Sequence, residues 1–400
     1  MNDTFLDQDL SAFAIVRPAD ARHGEDFLAN ELQYAVWKNR GLKLPIRDTS
    51  AGPDAYEFLI GGEAPEGTYV FHSEGNKICF CANDMFGYMD AATMLCIRYF
   101  GNVFHGGMPR EWHKELQVYQ DVHKQKHAAL RLIFHNVWGM DAPHNGGRSR
   151  YAAAYHLAYG ADVVSLNEYG GTFTGKGDYE KIMTESGYRK VPIAPEKLYR
   201  NCYFMPVWYR ADRLELLEAD YTDYRMHDGS KGVTLAVFRQ KDGEGRRFAV
   251  ACTHLAAAWD CPQSEKIYRQ LKNQQFLFGA IGKALEKWGG MPVFVGGDTN
   301  CQVYTETCLE FFRNGYADAF DLAERKNDCC SCHGYPTYCE ELGFYVTGTQ
   351  TNVGGYRSGI DHVFVRGADR VRVALYHVNQ ESVVPVISDH CPQMVDVDLL

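Results

Sequence analysis

The residues best suited to chemistry stand in Gly296-Gly297-Asp298-Thr299-Asn300. A carboxylate and an amide two positions apart can position a water: the acid takes its proton while the amide steadies the developing anion. Taken alone, Asp-x-Asn reads better as a polar turn. It is not alone. Glu168, His254 and Asp389 each stand just past an apolar run in the same way, and each can bind a metal or move a proton. Asn136, at the end of another strand-like run, adds an amide, and Asp361 and His390 add a carboxylate and an imidazole in Ile360-Asp361-His362 and Ser388-Asp389-His390.

Such groups need rigid elements to hold them. Pro292 opens the run Val293, Phe294 and Val295, and Gly296-Gly297 ends it, which predicts a buried strand and then a turn carrying Asp298 and Asn300. From Ala128 onward strands alternate with helices. Strands are expected over 130–134, 161–166 and 248–252, and helices over 150–159 and 264–288, the second amphipathic through Ile267, Leu271, Leu277, Ile281 and Leu285. The rims of sheets collect functional groups because the strand fixes them and the loop end admits substrate.

A chain of 400 residues exceeds one ordinary domain, so two are expected. Its 46% hydrophobic and 13% aromatic content is ample for large packed cores. The formal net charge is −10 and there is no long Lys/Arg run, which argues against a long nucleic-acid backbone as partner while leaving room for a local basic groove. No stretch approaches the roughly 20 apolar residues of a membrane span. The acidic start lacks the basic-then-apolar layout of a secretory signal. The 13 cysteines are odd in number, and Cys79, Cys81, Cys96, Cys202 and Cys252 sit inside apolar runs, which predicts reduced thiols and a cytoplasmic protein. An exported chain without its leader would read the same.

Residues 1–105 read as a small α+β domain. A strand is expected over 13–16, then a helix N-capped by Asp20 and stopped by Gly41. A strand over 56–60, a hairpin of 68–72 and 77–82 around Glu74-Gly75-Asn76, and a helix over 86–99 follow. The region resembles the accessory α+β domain ahead of the catalytic barrel in several glycoside hydrolases, through Glu31-Leu32-Gln33-Tyr34, Leu44-Pro45-Ile46, Tyr56-Glu57-Phe58-Leu59-Ile60-Gly61-Gly62 and the Gly87-to-Phe100 helix. The resemblance implies a scaffold without catalytic residues. Residues 106–127, with Gly106-Gly107, Pro109 and a polar end, are expected to be a linker, and 128–400 the second domain.

Across 128–400 the clusters Asn136, Ser165-Leu166-Asn167-Glu168, Thr253-His254, Gly297-Asp298-Thr299-Asn300, Ile360-Asp361-His362 and Ser388-Asp389-His390 resemble the endonuclease/exonuclease/phosphatase superfamily, in that family's order. The resemblance implies an α/β fold of the DNase I-like kind, a four-layer α/β sandwich of two packed mixed sheets flanked by helices, here preceded by the small α+β domain. It also implies divalent-metal-dependent hydrolysis of a phosphate ester.

In that reading Asn136, Glu168 and Asp389 hold Mg2+ (or Mn2+), a hard cation that keeps most of its waters and needs one or two carboxylates. Asp298 activates the attacking water and Asn300 steadies it, while His254 and His390 donate to the phosphoryl oxygens or leaving group. Asp361 holds a catalytic histidine in the correct tautomer. Tyr209 and Arg210 resemble a family strand whose Tyr or Arg contacts the phosphate. His362, next to Asp361 on a strand, would face the other way and stays outside the site. Some nuclease members carry an acid two residues past the first-strand Asn; here that position is Trp138.

Cys329, Cys330, Cys332, His333 and Cys339 form the one run the resemblance does not absorb, with thiolates and an imidazole spaced closely enough to suggest a structural Zn2+. The alternative is a substrate-side loop with reduced cysteines. Three functions follow: a phosphatase or phosphodiesterase acting on a small-molecule or lipid-like phosphoester, a Mg-dependent nuclease on DNA or RNA, and a non-catalytic carbohydrate- or phosphate-binding protein. The acidic charge and the sugar-enzyme-like front domain favour the first.

Overall fold

The computed structural model describes residues 4–5, 8–65, 68–95, 115–118, 124–140, 142–174, 177–198, 202–224, 230–242, 244–257, 261–346 and 354–400. The chain divides into two compact units. One comprises Met1–Val122 with Thr337–Thr347 and Glu381–Val386; the other comprises His123–Pro336, Gly348–Gln380 and Ile387–Leu400. A single cut along the sequence cannot separate them, because two short segments of the second half group with the first.

The first unit is built on a six-stranded sheet in the order Ile46–Asp48, Phe13–Arg17, Tyr56–Ile60, Lys77–Ala82, Thr68–Glu74, Glu115–Val118. The helix His23–Arg40 buries Phe27, Leu28, Leu32, Ala35 and Val36. Its N-terminus is capped by Arg22 and Glu25 rather than by Asp20, since the Glu25 side chain reaches back to the Arg22 N–H at 2.7 Å. Gly41 stops it in the left-handed conformation, φ 66. The second helix is described over Met85–Leu95, and residues 96–99 of the expected helix lie outside the described residues. Most of the expected linker lies outside them too. Its Glu115–Val118 segment is a strand, paired antiparallel with Thr68–Phe71. Within this unit a hairpin of Thr337–Cys339 and Phe344–Val346 packs Cys339, Phe344 and Val346 against Tyr34 and Trp37.

The second unit is a four-layer α/β sandwich. One sheet runs Tyr188–Lys190, Val207–Arg210, Val163–Asn167, Leu130–Asn136, Gln393–Leu399, Val371–Val378, Arg325–Lys326. The other runs Leu214–Asp223, Gly232–Gln240, Arg247–His254, Val293–Asp298, Asp361–Arg366, Tyr316–Asp318. The central strands are buried on both faces, so they read as near-continuous apolar runs. On the outer face of the second sheet, Leu277, Ile281 and Ala284 of the helix Gln263–Trp288 pack on Val233, Leu235, Val237, Ala249, Ala251, Val293 and Val295. Each such buried aliphatic side chain contributes about 1.5–3 kcal/mol. The helix Arg148–Ala158 belongs to the first sheet, with its His156 bonded to His135 of the Leu130–Asn136 strand at 3.0 Å. Away from the site, Arg131 makes a two-pronged ion pair with Asp396, both fully buried. Among the described residues, no helix is long and apolar enough to cross a membrane.

The strand before Asp298 does not stop at the glycines. It runs from Val293 through Gly296 and Gly297 to Asp298. A methyl group added at Gly296 would lie 2.5 Å from a ring carbon of Phe134 in the facing sheet. One added at Gly297, whose φ is +130, would lie 2.3 Å from the carbonyl oxygen of Thr253 and 2.5 Å from Oδ1 of Asn167. The glycines are a seam where two sheets and their strand ends come close, not a strand terminator. Gly296→Ala is therefore expected to cost about 1–3 kcal/mol through overpacking. The readout is a lower urea midpoint at unchanged m-value; a midpoint equal to the parent's would show that the seam has slack.

Candidate active site

Two parallel strand pairs, one in each sheet, end at one rim. In the first sheet Leu130–Asn136 and Val163–Asn167 run side by side, with Asn136 opposite Asn167. In the second, Arg247–His254 lies beside Val293–Asp298. Asn167, fully buried, joins the two: its Oδ1 accepts the Asp298 N–H at 2.8 Å and its Nδ2 donates to the Thr253 carbonyl at 3.0 Å. A buried amide with both ends satisfied fixes the relative position of the strands that carry it.

Asp298 is the hub. Oδ2 accepts from Asn136 Nδ2 at 3.0 Å and faces Nε2 of His254 at 3.3 Å and of His390 at 3.9 Å. Oδ1 accepts the backbone N–H of Asn300 at 2.8 Å. Burial opposes ionisation of this carboxyl, but His254, His390 and Lys231 outweigh it and hold its pKa well below the usual carboxylate range. Glu168 approaches His254 Nε2 at 3.8 Å. His390 donates from Nδ1 to Asp361 Oδ2 at 2.8 Å, and its Nε2 lies 3.9 Å from Asp389. Burial alone would lower the His390 pKa, yet Asp361 and Asp389 raise it well above the ordinary range. His254 goes the other way, lowered by burial and by Lys231 against the pull of Asp298. One imidazole is thus charged and the other neutral near neutral pH.

Two groups of three donors come within 4.8 Å of one another at this rim: Glu168, His254 and Asp298, and Asp298, Asp361 and His390. Asp389 stands beside them, its carboxyl pushed up by burial and by the charges of Glu168 and Asp298 against the pull of His390. A set of oxygen donors with more negative charge than it can easily hold suits a hard cation. The strand-end rule applies to Glu168, His254 and Asp298. It does not apply to Asp389 and His390, which follow a helical turn, Val384–Ile387, instead of a strand.

Several residues at the rim had no role assigned from their sequence context. Lys231 lies just before the strand Gly232–Gln240, its Nζ 3.2 Å from Nδ1 of His254 and closer still to Nε2. A lone Lys beside a Gly carries no spacing signal. Arg148, fully buried, donates to the carbonyls of Ile387 (2.8 Å) and Val137 (2.7 Å), tying the segment after Asn136 to the one before Asp389. Ser331 donates to Asp361 Oδ2 at 2.7 Å and so holds the acid that holds His390.

Asn300 is anchored twice at the rim: Nδ2 donates to the Leu255 carbonyl at 3.1 Å, and its backbone N–H donates to Asp298 Oδ1 at 2.8 Å. Other expectations are corrected. Tyr209 and Arg210 are not at the rim. Their strand is antiparallel to Val163–Asn167, with Tyr209 opposite Val163, so Tyr209 stands about 13 Å from the rim at ~3.3 Å per residue. Tyr209 is buried against Phe238, and Arg210 pairs with Asp212. His362 bonds the Tyr356 hydroxyl (2.9 Å) and the Cys301 carbonyl (3.0 Å). Among the described residues, the Cys329–Cys339 run forms no three-donor group. Cys330 and Cys332 pair with each other at 3.6 Å, His333 Nδ1 contacts the Gly334 carbonyl, and Cys339 belongs to the other unit.

No family model matches this chain, and no curated protein does. Solved structures do. An endonuclease/exonuclease/phosphatase from Bacteroides vulgatus is 18% identical, with 68% of this chain and 99% of that chain covered at a TM-score of 0.50. An endonuclease/exonuclease/phosphatase family protein from Bacteroides thetaiotaomicron is 15% identical, with 67% and 97% covered at 0.50. A mannosyl-6-phosphatase from Bacteroides thetaiotaomicron is 16% identical, with 68% and 100% covered at 0.50. At these identities the likeness is one of fold: this chain carries the DNase I-like architecture of those proteins.

Proposed function

We propose that the chain is a divalent-metal-dependent phosphoesterase that hydrolyses a small-molecule phosphate ester by an activated water. One observation carries the reading. Glu168, His254, Asp298, Asp361, Asp389 and His390, spread over more than two hundred residues of sequence, meet at one rim with alternating charge. The solved mannosyl-6-phosphatase of the same fold supports a phosphate ester of a small molecule, and the formal charge of −10 weighs against a polynucleotide.

Asn136 through Oδ1, Glu168 and Asp389 would hold Mg2+ or Mn2+. The donors are hard oxygens, and a cation among them would relieve the repulsion between Glu168 and Asp389. When bound, the ion neutralises phosphoryl charge as it builds in the transition state. Asp298 orients the attacking water and accepts its proton, held in place by Asn136, the Asn300 N–H and Asn167. His254, neutral, offers a ring N–H to a phosphoryl oxygen. His390 is charged, and its Nε2 proton points toward the Asp298–Asp389 gap, where it can be given to the departing alkoxide. Asp361 and Ser331 fix its orientation from behind. Lys231 adds a second cation for the phosphoryl oxygens.

With a panel of phosphomonoesters and diesters and added Mg2+ or Mn2+, turnover is expected, and a chelator should abolish it. Asp298→Asn should lower kcat about a thousandfold, the range for loss of a positioned base, with the circular dichroism spectrum unchanged. Metal-independent turnover, or full turnover in Asp298→Asn, would rule the mechanism out. Lys231→Met should lower kcat/KM about a hundredfold to a thousandfold, as loss of a donor to developing charge does; an unchanged kcat/KM would remove Lys231 from the site.

A further inference from the structure

At the position where some relatives by resemblance carry an acid, this chain has Trp138, and its placement is constrained from both sides. Its backbone N–H donates to Asn136 Oδ1 at 3.0 Å, and the N–H of the next residue, Gly139, donates to the Glu168 carbonyl at 3.0 Å. The indole is therefore rooted between two of the groups that would hold the cation. Its backbone is left-handed, φ 46, a conformation that a bulky side chain adopts only when its surroundings enforce it. Arg148 stands over the indole, its guanidinium carbon 4.9 Å from the ring centroid.

Tyr335 meets the indole with ring centroids 5.1 Å apart and planes at 50°. It comes from the opposite side of the rim. Two residues before it, the His333 N–H donates to the Asp389 carbonyl at 2.7 Å, and Cys332 forms a backbone bridge with His390. The aromatic pair thus spans from the Asn136–Glu168 side to the Asp389–His390 side. Tyr335 nevertheless keeps 60% of its surface exposed. The two rings are in contact and tilted, so no flat group fits between them. The exposed part of Tyr335 is its outward surface, backed by Trp138.

We propose that Tyr335, seated on Trp138, is the subsite for the leaving alcohol, and that this alcohol is built on a ring that stacks on the phenol. The substrate class is then a phosphate ester of a cyclic alcohol, a sugar or a nucleoside. A ring face is the chemistry that an exposed aromatic beside a phosphoryl site recognises, and stacking tolerates either source. The inference rests on the phosphoesterase reading above and deepens it.

The test uses the full chain loaded with Mg2+ and three monoesters: glycerol 3-phosphate, a hexose 6-phosphate and a nucleoside 5′-monophosphate. The parent protein should turn over at least one ring-bearing ester with a lower KM than glycerol 3-phosphate. Tyr335→Ala should raise that KM about tenfold with kcat changed less than about twofold, and move the KM for glycerol 3-phosphate far less. Tyr335→Phe, which keeps the ring face, should restore the parent KM. Which ring-bearing ester shows the effect tells sugar from nucleoside. Equal KM changes for cyclic and acyclic esters in Tyr335→Ala, or no rescue by Phe, would overturn the subsite while leaving the phosphoesterase intact. Absence of metal-dependent turnover of both ring-bearing esters in the parent would overturn the subsite, and absence of turnover across the whole panel of monoesters and diesters would overturn both together.

Discussion

The structure of the second unit depends on how closely its two sheets approach at one point. Phe134 from one sheet lies over Gly296 of the other, where a single methyl group would collide with the ring. Beside that contact, the buried amide of Asn167 spans the gap to Asp298 and Thr253. Without the glycines the sheets would have to part by part of a side chain's thickness. Asn167 could then no longer reach both partners, and the Asn136–Glu168 edge would separate from the His254–Asp298 edge. Packing density sets the sheet separation, and the sheet separation sets the site.

The electrostatics follow from that closeness. Four acids gathered within a few ångströms of one another repel, and burial makes the repulsion worse. Here the opposing charge is divided. His390 is held charged by Asp361 and Asp389, His254 is held neutral by burial and Lys231, and Asp298 stays ionised between them. Two histidines that lie near one carboxylate are therefore held in different charge states, one protonated and one neutral. Groups whose environments push their pKa values in opposite directions cluster at functional sites. The contrast within the same unit is Arg131 with Asp396, away from this rim, where each buried partner is satisfied by the other and by nearby backbone groups.

Much of this was legible in the residues. Glu168, His254 and Asp298 stand at the ends of apolar runs because buried strands are apolar on both faces, so the point where polarity returns marks the rim. Asp361 and His390 were legible as motifs and meet at 2.8 Å. What was not legible depended on strand direction and on three-dimensional neighbours. Tyr209 follows a run that looks the same as the others, but its strand is antiparallel and carries it away from the rim. The amide of Asn300 could as well face solvent as a backbone carbonyl, and periodicity cannot decide which. Lys231, Arg148 and Ser331 reach the site from segments with no repeating pattern, so only tertiary structure brings them in. Gly296-Gly297 looks like a strand terminator because glycine usually is one; close sheet packing is the exception that the one-dimensional pattern does not reveal.

Backbone strain gives a separate line of argument for where this fold does its work. Among the described residues, the non-glycine positions with positive φ are Trp138, Glu168, Asn300 and Tyr304. The first three flank Asn136, Asn167 and Asp298. Each such conformation costs on the order of 1–3 kcal/mol and survives only where neighbours over-determine it. The neighbours are identifiable. Trp138 is held by Asn136 and Arg148, Glu168 by the Gly139 N–H on its carbonyl, and Asn300 by Asp298 and Leu255. A chain selected for stability alone would place glycine at these positions, as it does at Gly41 and Gly367. Side chains stand there instead because the left-handed turn at the end of a strand swings the next residue back over the rim. At Glu168 it delivers a carboxylate to His254, and at Trp138 it delivers an indole to Tyr335. The same backbone device thus presents both a carboxylate and an indole at one rim.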